Sequence, residues 1–221
     1  MKVAVCLGGL LRGKVEENIE IMKQVFPYDF FLSTWDTVER FPPFQNIKTY
    51  KEPAPFKDHL IFHPNEEKRS QMIHHHKQII SHAYMLDDLP SDYDMIVRIR
   101  YESRINTTID WKSFLDCSYN ENIPIGFGHV LDFNQVKKIT YGDKGSRTTV
   151  LGKGLNDAII MHPRKLFHSE KVFELYKNDE LKLAEGGWWQ ILVKENFGDV
   201  SHEKDPCQNY IGGFIFDRFL E

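Results

Sequence analysis

The sequence predicts an α/β protein, with a mostly parallel, twisted sheet flanked by helices in a single domain. Three observations lead to this prediction. Short apolar runs typical of buried strands alternate with helical patterns through the first hundred residues, as expected for right-handed βαβ units. A chain of 221 residues with 41% hydrophobic and 27% charged residues has the size and composition of one domain with a real core. We find no internal repeat and no linker-like segment that would divide it.

Six elements are predicted in the first half of the chain. A buried strand comes first and leads into a glycine-rich turn, and an amphipathic helix then ends before a proline. Two strands, the longest helix of the chain and a fourth strand follow. In order, the six are Lys2–Leu7, Val15–Val25, Asp29–Ser33, Asn46–Lys51, Glu66–Leu86 and Met95–Arg100.

The second half of the chain is less regular. Strands are predicted at Ile123–Phe127 and Ala158–Met161, and helices at Pro163–Leu175 and Trp188–Asn196. The polar segment 143–149 between the two strands has the composition of a surface loop.

Composition narrows the functional class. A net charge of -4 and a pI near 6.2 argue against an extended nucleic-acid surface. No signal peptide is recognisable before the first glycines, and no apolar run approaches membrane-spanning length. The three cysteines are scattered, which predicts reduced thiols and a cytoplasmic location.

The fourth predicted strand ends in an unusual group of charges. Arg98 and Arg100 share one face because side chains alternate along a strand, and Glu102 joins them if the chain stays extended. Unpaired buried charges are costly, and ligands bind at the carboxyl ends of strands in open α/β sheets. The group therefore indicates a polyanionic ligand, a metal or both. A structural ion pair between Arg98 and Glu102 is the alternative.

Two further segments are expected at the same edge of the sheet. In the turn after the first strand, Gly8 and Gly9 would let backbone N–H groups approach a nucleotide, and Arg12 could hold a phosphate. A tight connection alone would also explain these glycines. After the second strand, Trp35 could pack on a base and Asp36 could accept from a uracil or ribose. A core tryptophan followed by an Asp turn is equally compatible with the sequence.

These motifs together resemble a known family. The turn Gly9-x-x-Arg12, the strand end 31–36 and the segment 93–102 occur in the order seen in small bacterial and viral GT-A-type glycosyltransferases. The resemblance is strongest to the WavE-like lipopolysaccharide-synthesis group and covers about residues 2–200. It implies transfer of a sugar from a nucleotide-sugar donor, with a UDP-sugar favoured, to a carbohydrate or lipid-linked glycan acceptor. Residues 1–105 would form the nucleotide-binding half and residues 106–221 the acceptor and catalytic half.

The resemblance also assigns roles in the second half. Glu185 opens a helix and would be the base that deprotonates the acceptor hydroxyl, and a helix N-terminus favours a carboxylate there. Asn156 and Asp157 would face the donor sugar or the acceptor, with Asp157 as the second candidate base. Helix capping by Glu185 and a simple turn at Asn156–Asp157 are the structural alternatives.

A metal ion is implied by resemblance as well. GT-A enzymes usually hold Mn²⁺ or Mg²⁺ through an Asp-x-Asp motif, and these ions take oxygen ligands. Here the motif reads Arg100-Tyr101-Glu102, so a cation replaces one carboxylate. Glu102 could still bind the metal, or the arginines could replace it. His202 lies in the tail where many GT-A enzymes place a metal-binding histidine, and His162 competes for that role.

Two other features bear on the function. The run His74–His76 points three ways around a helix, so it cannot hold one metal and is expected to be an exposed or half-buried surface run. A nucleotidyltransferase that makes nucleotide sugars is a second functional class, although its longer basic glycine-rich loop is missing from this sequence. A non-catalytic nucleotide- or sugar-binding module is the third.

Overall fold

Eight strands form one mixed sheet with helices on both faces. The computed structural model describes residues 1–11, 13–39, 46–55, 74–129, 154–182, 184–200 and 206–216. The strands are Val3–Leu7 (β1), Asp29–Trp35 (β2), Ile47–Tyr50 (β3), Met95–Ile99 (β4), Ser103–Ile105 (β5), Ile125–His129 (β6), Ile159–Pro163 (β7) and Gln208–Phe216 (β8). The helices are Val15–Val25 (α1), Lys77–Asp88 (α2), Trp111–Glu121 (α3), Ser169–Lys177 (α4), Ala184–Trp189 (α5) and Glu195–Phe197 (α6).

The strand order is β3-β2-β1-β4-β7-β6-β8-β5. The four strands of the first half are all parallel, with β1 between β2 and β4. In the second half, β7 runs antiparallel to both β4 and β6. Ile159 at the start of β7 pairs with Ile99 at the end of β4. The segment that enters β7 therefore lies beside the carboxyl end of β4.

The sheet is covered on both faces, as β1 shows. Val3, Val5 and Leu7 pack with α1 and α3, whereas Ala4 and Cys6 face α2 and α5. A strand buried on both faces has no polar side to alternate with the apolar one, which is why β1 reads as a continuous apolar run. None of the helices in the described ranges has both the length and the apolar character needed to cross a membrane.

The α/β architecture and the parallel first half confirm the prediction from sequence. Two elements of the second half were missed, α3 and β8. Helix α3 contains many residues of modest helix propensity, but the Asp110 side chain caps its first turn and Asn122 ends it with φ 55°. In β8, a pair of glycines interrupts the pattern expected of a strand.

The helix predicted to begin at Pro163 starts later. Pro163 is the last residue of β7, and a 3₁₀ turn at Arg164–Leu166 separates it from α4. The helix predicted at Trp188–Asn196 is a longer run in which the π-helical segment Gln190–Lys194 joins α5 to α6. Arg12, His202, the segment 143–149 and the first part of the predicted helix Glu66–Leu86 lie outside the described residues.

Two buried histidines connect α2 with β7. Nε2 of His82 lies 3.1 Å from Nε2 of His162, and both side chains are buried. Nδ1 of His162 lies 2.9 Å from the Pro163 carbonyl, which can only accept, so we assign the ring proton of His162 to Nδ1. The proton between the two rings is then carried by Nε2 of His82. Burial lowers the pKa of His82 well below its usual 6.5 and lowers the pKa of His162 to about 4. Both rings are therefore neutral in the folded protein at neutral pH.

We predict that this pair makes the fold sensitive to acid. Because both pKa values are lower in the folded chain, the unfolded chain binds more protons below pH 6.5. Stability should be fully present above pH 6.5 and fall as the pH drops towards 4, with a slope approaching about 1.4 kcal/mol per pH unit for each histidine. Urea unfolding of the protein measured across this range gives the slope.

His162→Gln removes one of the two groups and should flatten the slope, whatever it does to stability at neutral pH. His168→Gln, at an exposed histidine of the same region, is the matched control and should leave the slope unchanged. An equal slope in all three proteins would show that the buried pair does not govern acid sensitivity.

Candidate functional site

Charged side chains from three segments meet at the carboxyl end of β4. Arg98 lies in β4 and Arg100 and Glu102 follow it, while Asp157 precedes β7 and Glu185 lies in the first turn of α5. This is the edge of an α/β sheet at which ligands bind. Five of the residues selected from the sequence are therefore brought together by the fold.

Arg98 is the buried centre of this group, with only 3% of its surface exposed. Its guanidinium donates to the backbone carbonyl of Asp157 and, over 2.7 Å, to Oε1 of Gln78 in α2. It also lies 5.2 Å from the centre of the Trp188 ring. Burial lowers the pKa of Arg98 to about 10, so the group remains charged at neutral pH. Arg98 thus joins β4, α2, α5 and the segment before β7.

Arg100 and Glu102 form an ion pair with each other. The chain turns here, with the N–H of Ser103 donating to the Arg100 carbonyl at 3.1 Å, and the turn brings the two side chains together. One fifth of the Arg100 side chain is exposed, against 6% for Glu102. The alternative ion pair between Arg98 and Glu102 is not found among the described residues, because the chain does not stay extended beyond β4.

Tyr101, between them, points the opposite way and fixes the turn. Its hydroxyl lies 3.0 Å from the Leu7 carbonyl and 2.8 Å from the Ser33 carbonyl. The side chain is 1% exposed. The ends of β1, β2 and β4 are therefore held together from the core side, and Arg100 and Glu102 occupy the other side.

Asp157 and Glu185 are both half-buried. Their segments are joined by the N–H of Leu155, which donates to the Glu185 carbonyl at 3.0 Å. Burial raises the pKa of the Glu185 carboxyl, and the negative charge of Asp157 raises it further, while Arg100 opposes them. A carboxylate whose pKa is moved towards neutral is a better proton acceptor at physiological pH. The arrangement can therefore take a proton from a bound group.

Hydrogen bonds of Gln190 fix the chain just before α5. The buried amide of Gln190 accepts from the Lys182 N–H at 2.9 Å and donates to the Glu180 carbonyl at 3.2 Å. A Cβ at Gly187 would lie 2.3 Å from the Lys182 carbonyl oxygen, so only glycine allows this approach. Gln190 begins the π-helical segment, and such segments often occur beside functional sites. Both tryptophans of α5 are fully buried, which makes them core residues.

The turn after β1 is shaped by packing. A Cβ at Gly8 would lie 2.5 Å from Oγ of Ser81 in α2, so Gly8 lets this helix approach the sheet. Gly9 has φ +109° and open space beside it, and its carbonyl accepts from Oγ1 of Thr34 at 2.9 Å. Gly9 thus has the left-handed backbone conformation that glycine favours. The described residues of this turn place no charged side chain at the site, since Arg12 lies outside them.

Trp35 and Asp36, which lie at the end of β2 and are predicted to contact a nucleotide, have partners within the fold. Trp35 is 2% exposed and packs in the core beneath α2, which agrees with the alternative of a core tryptophan. Oδ1 of Asp36 accepts from the N–H of Glu52 at 2.9 Å. This bond fixes the chain that leaves β3, and Asp36 remains exposed at the rim.

Asn156 anchors the segment before β7. Its N–H donates to Oδ1 of Asn209 at 2.7 Å, and its side-chain amide donates to the Tyr210 carbonyl at 3.1 Å. Gly126 in β6 leaves room for it, because a Cβ there would lie 2.5 Å from the Asn156 carbonyl oxygen. Asn156 therefore sets the position of the neighbouring Asp157 through contacts with β6 and β8.

The described residues form no ready-made site for a metal ion. No three His, Cys, Asp or Glu side chains within the described ranges are arranged to hold one. The carboxylate of Glu102, which stands at the position of the missing Asp-x-Asp carboxylate, is already engaged by Arg100. Divalent ions at phosphate sites need at least one or two available carboxylates.

The prediction of an exposed or half-buried histidine run before α2 is wrong for His76. The three histidines before α2 differ in exposure: His74 is exposed, His75 is half-buried and His76 is buried. His76 has a structural role, since its ring stacks on Tyr176 and its Nε2 lies 3.1 Å from the Ala54 carbonyl. His75 is one helical turn before Gln78, the partner of Arg98.

A separate cavity of about 670 Å³ lies at the opposite end of β4. Its lining includes Tyr93, Asp94, Tyr119, Arg164, Lys165 and His168. Arg164 there donates to three carbonyls at the end of α2, at Pro90, Leu86 and Leu89. Because this is the amino end of the strand, we place the candidate site at the charged carboxyl end instead.

Comparison with known proteins finds a similar structure but no match in sequence. No family model matches the chain, and no curated protein sequence does either. Among solved structures it is similar to 4-diphosphocytidyl-2C-methyl-D-erythritol synthase from Anaerococcus prevotii, with a TM-score of 0.52 and 10% identity over 98% of this chain and 90% of that one. That alignment shows a shared fold.

Two glycosyltransferase structures align less well. One is the enzyme involved in glycosylation of the major capsid of PBCV-1, with a TM-score of 0.42 and 10% identity over 96% of this chain and 82% of that one. The other is the galactosyltransferase LgtC in complex with donor and acceptor sugar analogs. Its TM-score is 0.43, with 11% identity over 87% of this chain and 70% of that one. TM-scores below 0.5 do not establish a common fold. The chain is a single α/β domain with the nucleotidyltransferase fold, which is GT-A-like.

We predict that Arg98 is required for folding. Arg98→Ala would leave the Asp157 carbonyl and the Gln78 amide without their donor and would open a space beneath Trp188. Each buried acceptor left without a donor costs about 1–3 kcal/mol, and the cavity left by the side chain adds to this loss. Urea unfolding should show this loss in Arg98→Ala. Arg104→Ala, at a half-buried arginine in β5, should lose far less, and equal losses would contradict a special role for Arg98.

Proposed function

We propose that this chain is a glycosyltransferase that moves a sugar from a nucleotide-sugar donor to a hydroxyl group of a carbohydrate or lipid-linked glycan. A UDP-sugar is the favoured donor, and the WavE-like group is the favoured family, both through the sequence resemblance. The observation that carries the proposal is the meeting of Arg100, Asp157 and Glu185 at the carboxyl end of β4. It supplies a cation for a diphosphate and a carboxylate for the acceptor.

Glu185 acts as the general base in this proposal. Its carboxylate takes the proton of the acceptor hydroxyl as that oxygen forms a bond with the anomeric carbon of the donor sugar. The bond between that carbon and the diphosphate oxygen breaks, and its electron pair leaves with the nucleoside diphosphate. The raised pKa of Glu185, caused by burial and by Asp157, suits a group that must hold this proton near neutral pH.

Arg100 stabilises the leaving group. The diphosphate gains negative charge as it departs, and a fixed cation close by lowers the energy of the transition state. Arg100 is partly exposed, and in this proposal it exchanges Glu102 for the diphosphate, whereas Arg98 stays bonded to Asp157 and Gln78. In this proposal Arg98 is a positioning residue that holds the Asp157 segment in place.

Nucleotidyl transfer is the second candidate function, and the fold comparison favours it. The Anaerococcus prevotii structure, with a TM-score of 0.52, is a synthase of a diphosphocytidyl compound. A nucleotidyltransferase would join a nucleoside triphosphate to a sugar phosphate and release pyrophosphate. It would therefore be stabilised by a nucleoside triphosphate as well as by its nucleotide-sugar product, whereas a glycosyltransferase needs no triphosphate. A non-catalytic binding module would bind a nucleotide sugar without turnover.

A thermal-shift panel separates these functions. UDP-, GDP-, CMP- and dTDP-sugars are tested beside the nucleoside triphosphates, each with Mn²⁺ and with excess EDTA, because a ligand that binds only the folded state raises the melting temperature. We expect UDP and UDP-sugars to give the largest shift. If no nucleoside diphosphate shifts the melting temperature at millimolar concentration, the glycosyltransferase proposal fails. Comparison of the Mn²⁺ and EDTA arms tests the metal requirement implied by the resemblance.

Arg100→Ala should weaken the binding of UDP. A hydrogen bond to a charged group contributes about 1.5–3 kcal/mol, so the loss corresponds to roughly 10- to 150-fold in Kd. Titration calorimetry measures it. The double variant Arg100→Ala/Glu102→Ala controls for the carboxylate left without its partner. Unchanged UDP affinity in both variants would show that Arg100 only stabilises the fold.

Glu185→Gln should leave donor binding intact and slow sugar transfer by roughly 10²–10⁴-fold, the usual contribution of a positioned base. The substitution keeps the size of the side chain and removes its basic site. Transfer assays per folded molecule measure the rate, and Glu180→Gln, at an exposed carboxylate before α5, is the control. A Glu185→Gln protein that melts earlier but transfers at the parental rate would make Asp157 the leading base.

A further inference from the structure

The cavity at the amino end of β4 is a second place where a small molecule can bind. Its volume of about 670 Å³ is within the range of ligand pockets in proteins. The strand is five residues long, so about 16 Å of sheet separates this cavity from the charges at the carboxyl end. Within the described part of the chain, no residue of the candidate site belongs to its lining. The cavity is therefore a separate site.

Paired backbone holds one side of the cavity in place. The N–H of Arg164 donates to the Asp94 carbonyl at 2.8 Å, and Pro163 pairs with Met95 where β7 meets β4. The carboxylate of Asp94 accepts from the N–H of Lys2 at 2.6 Å. A lining that is tied to the sheet in this way is formed before a ligand arrives, so binding needs little reorganisation of the chain.

Arg164 supplies the cavity with a fixed cation. Its Nη1 atom donates to the Pro90 carbonyl at 2.6 Å, and its Nη2 atom donates to the carbonyls of Leu86 and Leu89 at 2.9 and 3.0 Å. A guanidinium has five N–H donors, so two of them are left without a partner among the described residues. Carbonyl partners fix the group without neutralising its charge. Arg164 can therefore still bind an anion.

Lys165 adds a second positive charge beside Arg164. Its side chain is exposed, lines the cavity and has no ion-pair partner in the described ranges. The carboxylate of Asp94 also belongs to the lining, but one negative charge does not cancel two positive ones. Asp92, next to it in sequence, is paired with Lys2 at 2.6 Å. The cavity therefore favours a ligand that carries a negative charge.

Aromatic and amide groups complete the lining. Tyr93 and Phe167 are buried, whereas Tyr119 of α3 has 44% of its surface exposed. An exposed aromatic ring beside a polar cavity offers a flat apolar face on which the C–H groups of a sugar ring can pack. Ser91 and Asn120 add groups that bind hydroxyls. A bare inorganic anion would leave the aromatic face unused.

We propose that this cavity binds a sugar that carries one negatively charged group, a phosphate or a carboxylate. The anion lies beside Arg164 and Lys165, and the sugar ring packs on Tyr119. The inference goes beyond the proposed function and does not rest on it, because no residue of the candidate site takes part. In a protein that acts on glycans, such a site would hold part of an anionic chain away from the reacting groups.

Two-dimensional NMR of the backbone amides of the whole chain tests the proposal, because it detects weak binding and shows where a ligand binds. Glucose 6-phosphate and glucuronate represent the two kinds of anionic sugar. Glucose and inorganic phosphate are the two halves of such a ligand, and UDP is the fifth ligand. We expect at least one anionic sugar to shift the amides of residues 164–168 and 119–120, and to bind more tightly than either half. The tighter of the two identifies the anion.

Two variants separate the contribution of the charge from that of the ring. Lys165→Ala should weaken binding of the anionic sugar about 5-fold, the upper range for an exposed ion pair, and leave glucose unaffected. Tyr119→Ala should weaken it about 4-fold, the contribution of one buried CH₂ group, and leave inorganic phosphate unaffected. Lys177→Ala, at the other end of α4, makes the same charge change and should match the parent. All three side chains are exposed, so the variants are expected to fold.

Several results would overturn the inference. One is the absence of shifts at the cavity with both anionic sugars, and another is an equal loss of affinity in Lys165→Ala and Lys177→Ala. Equal affinity for inorganic phosphate would show that the cavity binds any anion. If UDP shifts the cavity amides and competes with the sugar, the cavity is a nucleotide site, and the placement of the proposed function fails as well. Shifts by UDP at the carboxyl end of β4, without binding of either anionic sugar, would overturn this inference alone.

Discussion

The charged end of the sheet depends on the burial of one guanidinium. Removing a cation from water is costly, and the protein compensates by giving Arg98 a carbonyl, an amide oxygen and the face of an indole ring. These three partners belong to the segment before β7, to α2 and to α5. A lysine could not replace this fork of donors, because a single ammonium lacks its planar geometry. Because the buried charge needs all three partners, it fixes the positions of the three segments that supply them.

A second group of charged side chains lies beside Arg98. Arg100 and Glu102 neutralise each other at the edge of the solvent, while Asp157 and Glu185 stand close enough for one to raise the pKa of the other. The negative charge of Asp157 adds to burial in raising the pKa of Glu185. Arg98, buried beside them, holds the segment that carries Asp157.

The sequence predicted the parallel half of the fold because strands buried on both faces leave a clear trace as apolar runs. It did not predict α3, whose residues are mediocre helix formers held by a cap at Asp110. The pairing of Arg98 with Glu102 seemed reasonable for an extended chain, but the turn at Ser103 gives Glu102 to Arg100. The partner of Arg98 lies 59 residues away in sequence, and no local pattern contains that information.

The antiparallel direction of β7 has a consequence for how such a protein can diverge. Asp157 is held at the site by the pairing of β7 with β4 and β6, and by the bonds of Asn156 to β8. None of these contacts depends on the length of chain that connects β6 to β7. The position of Asp157 is therefore expected to tolerate insertions and deletions in that connection, because the strand pairings carry it.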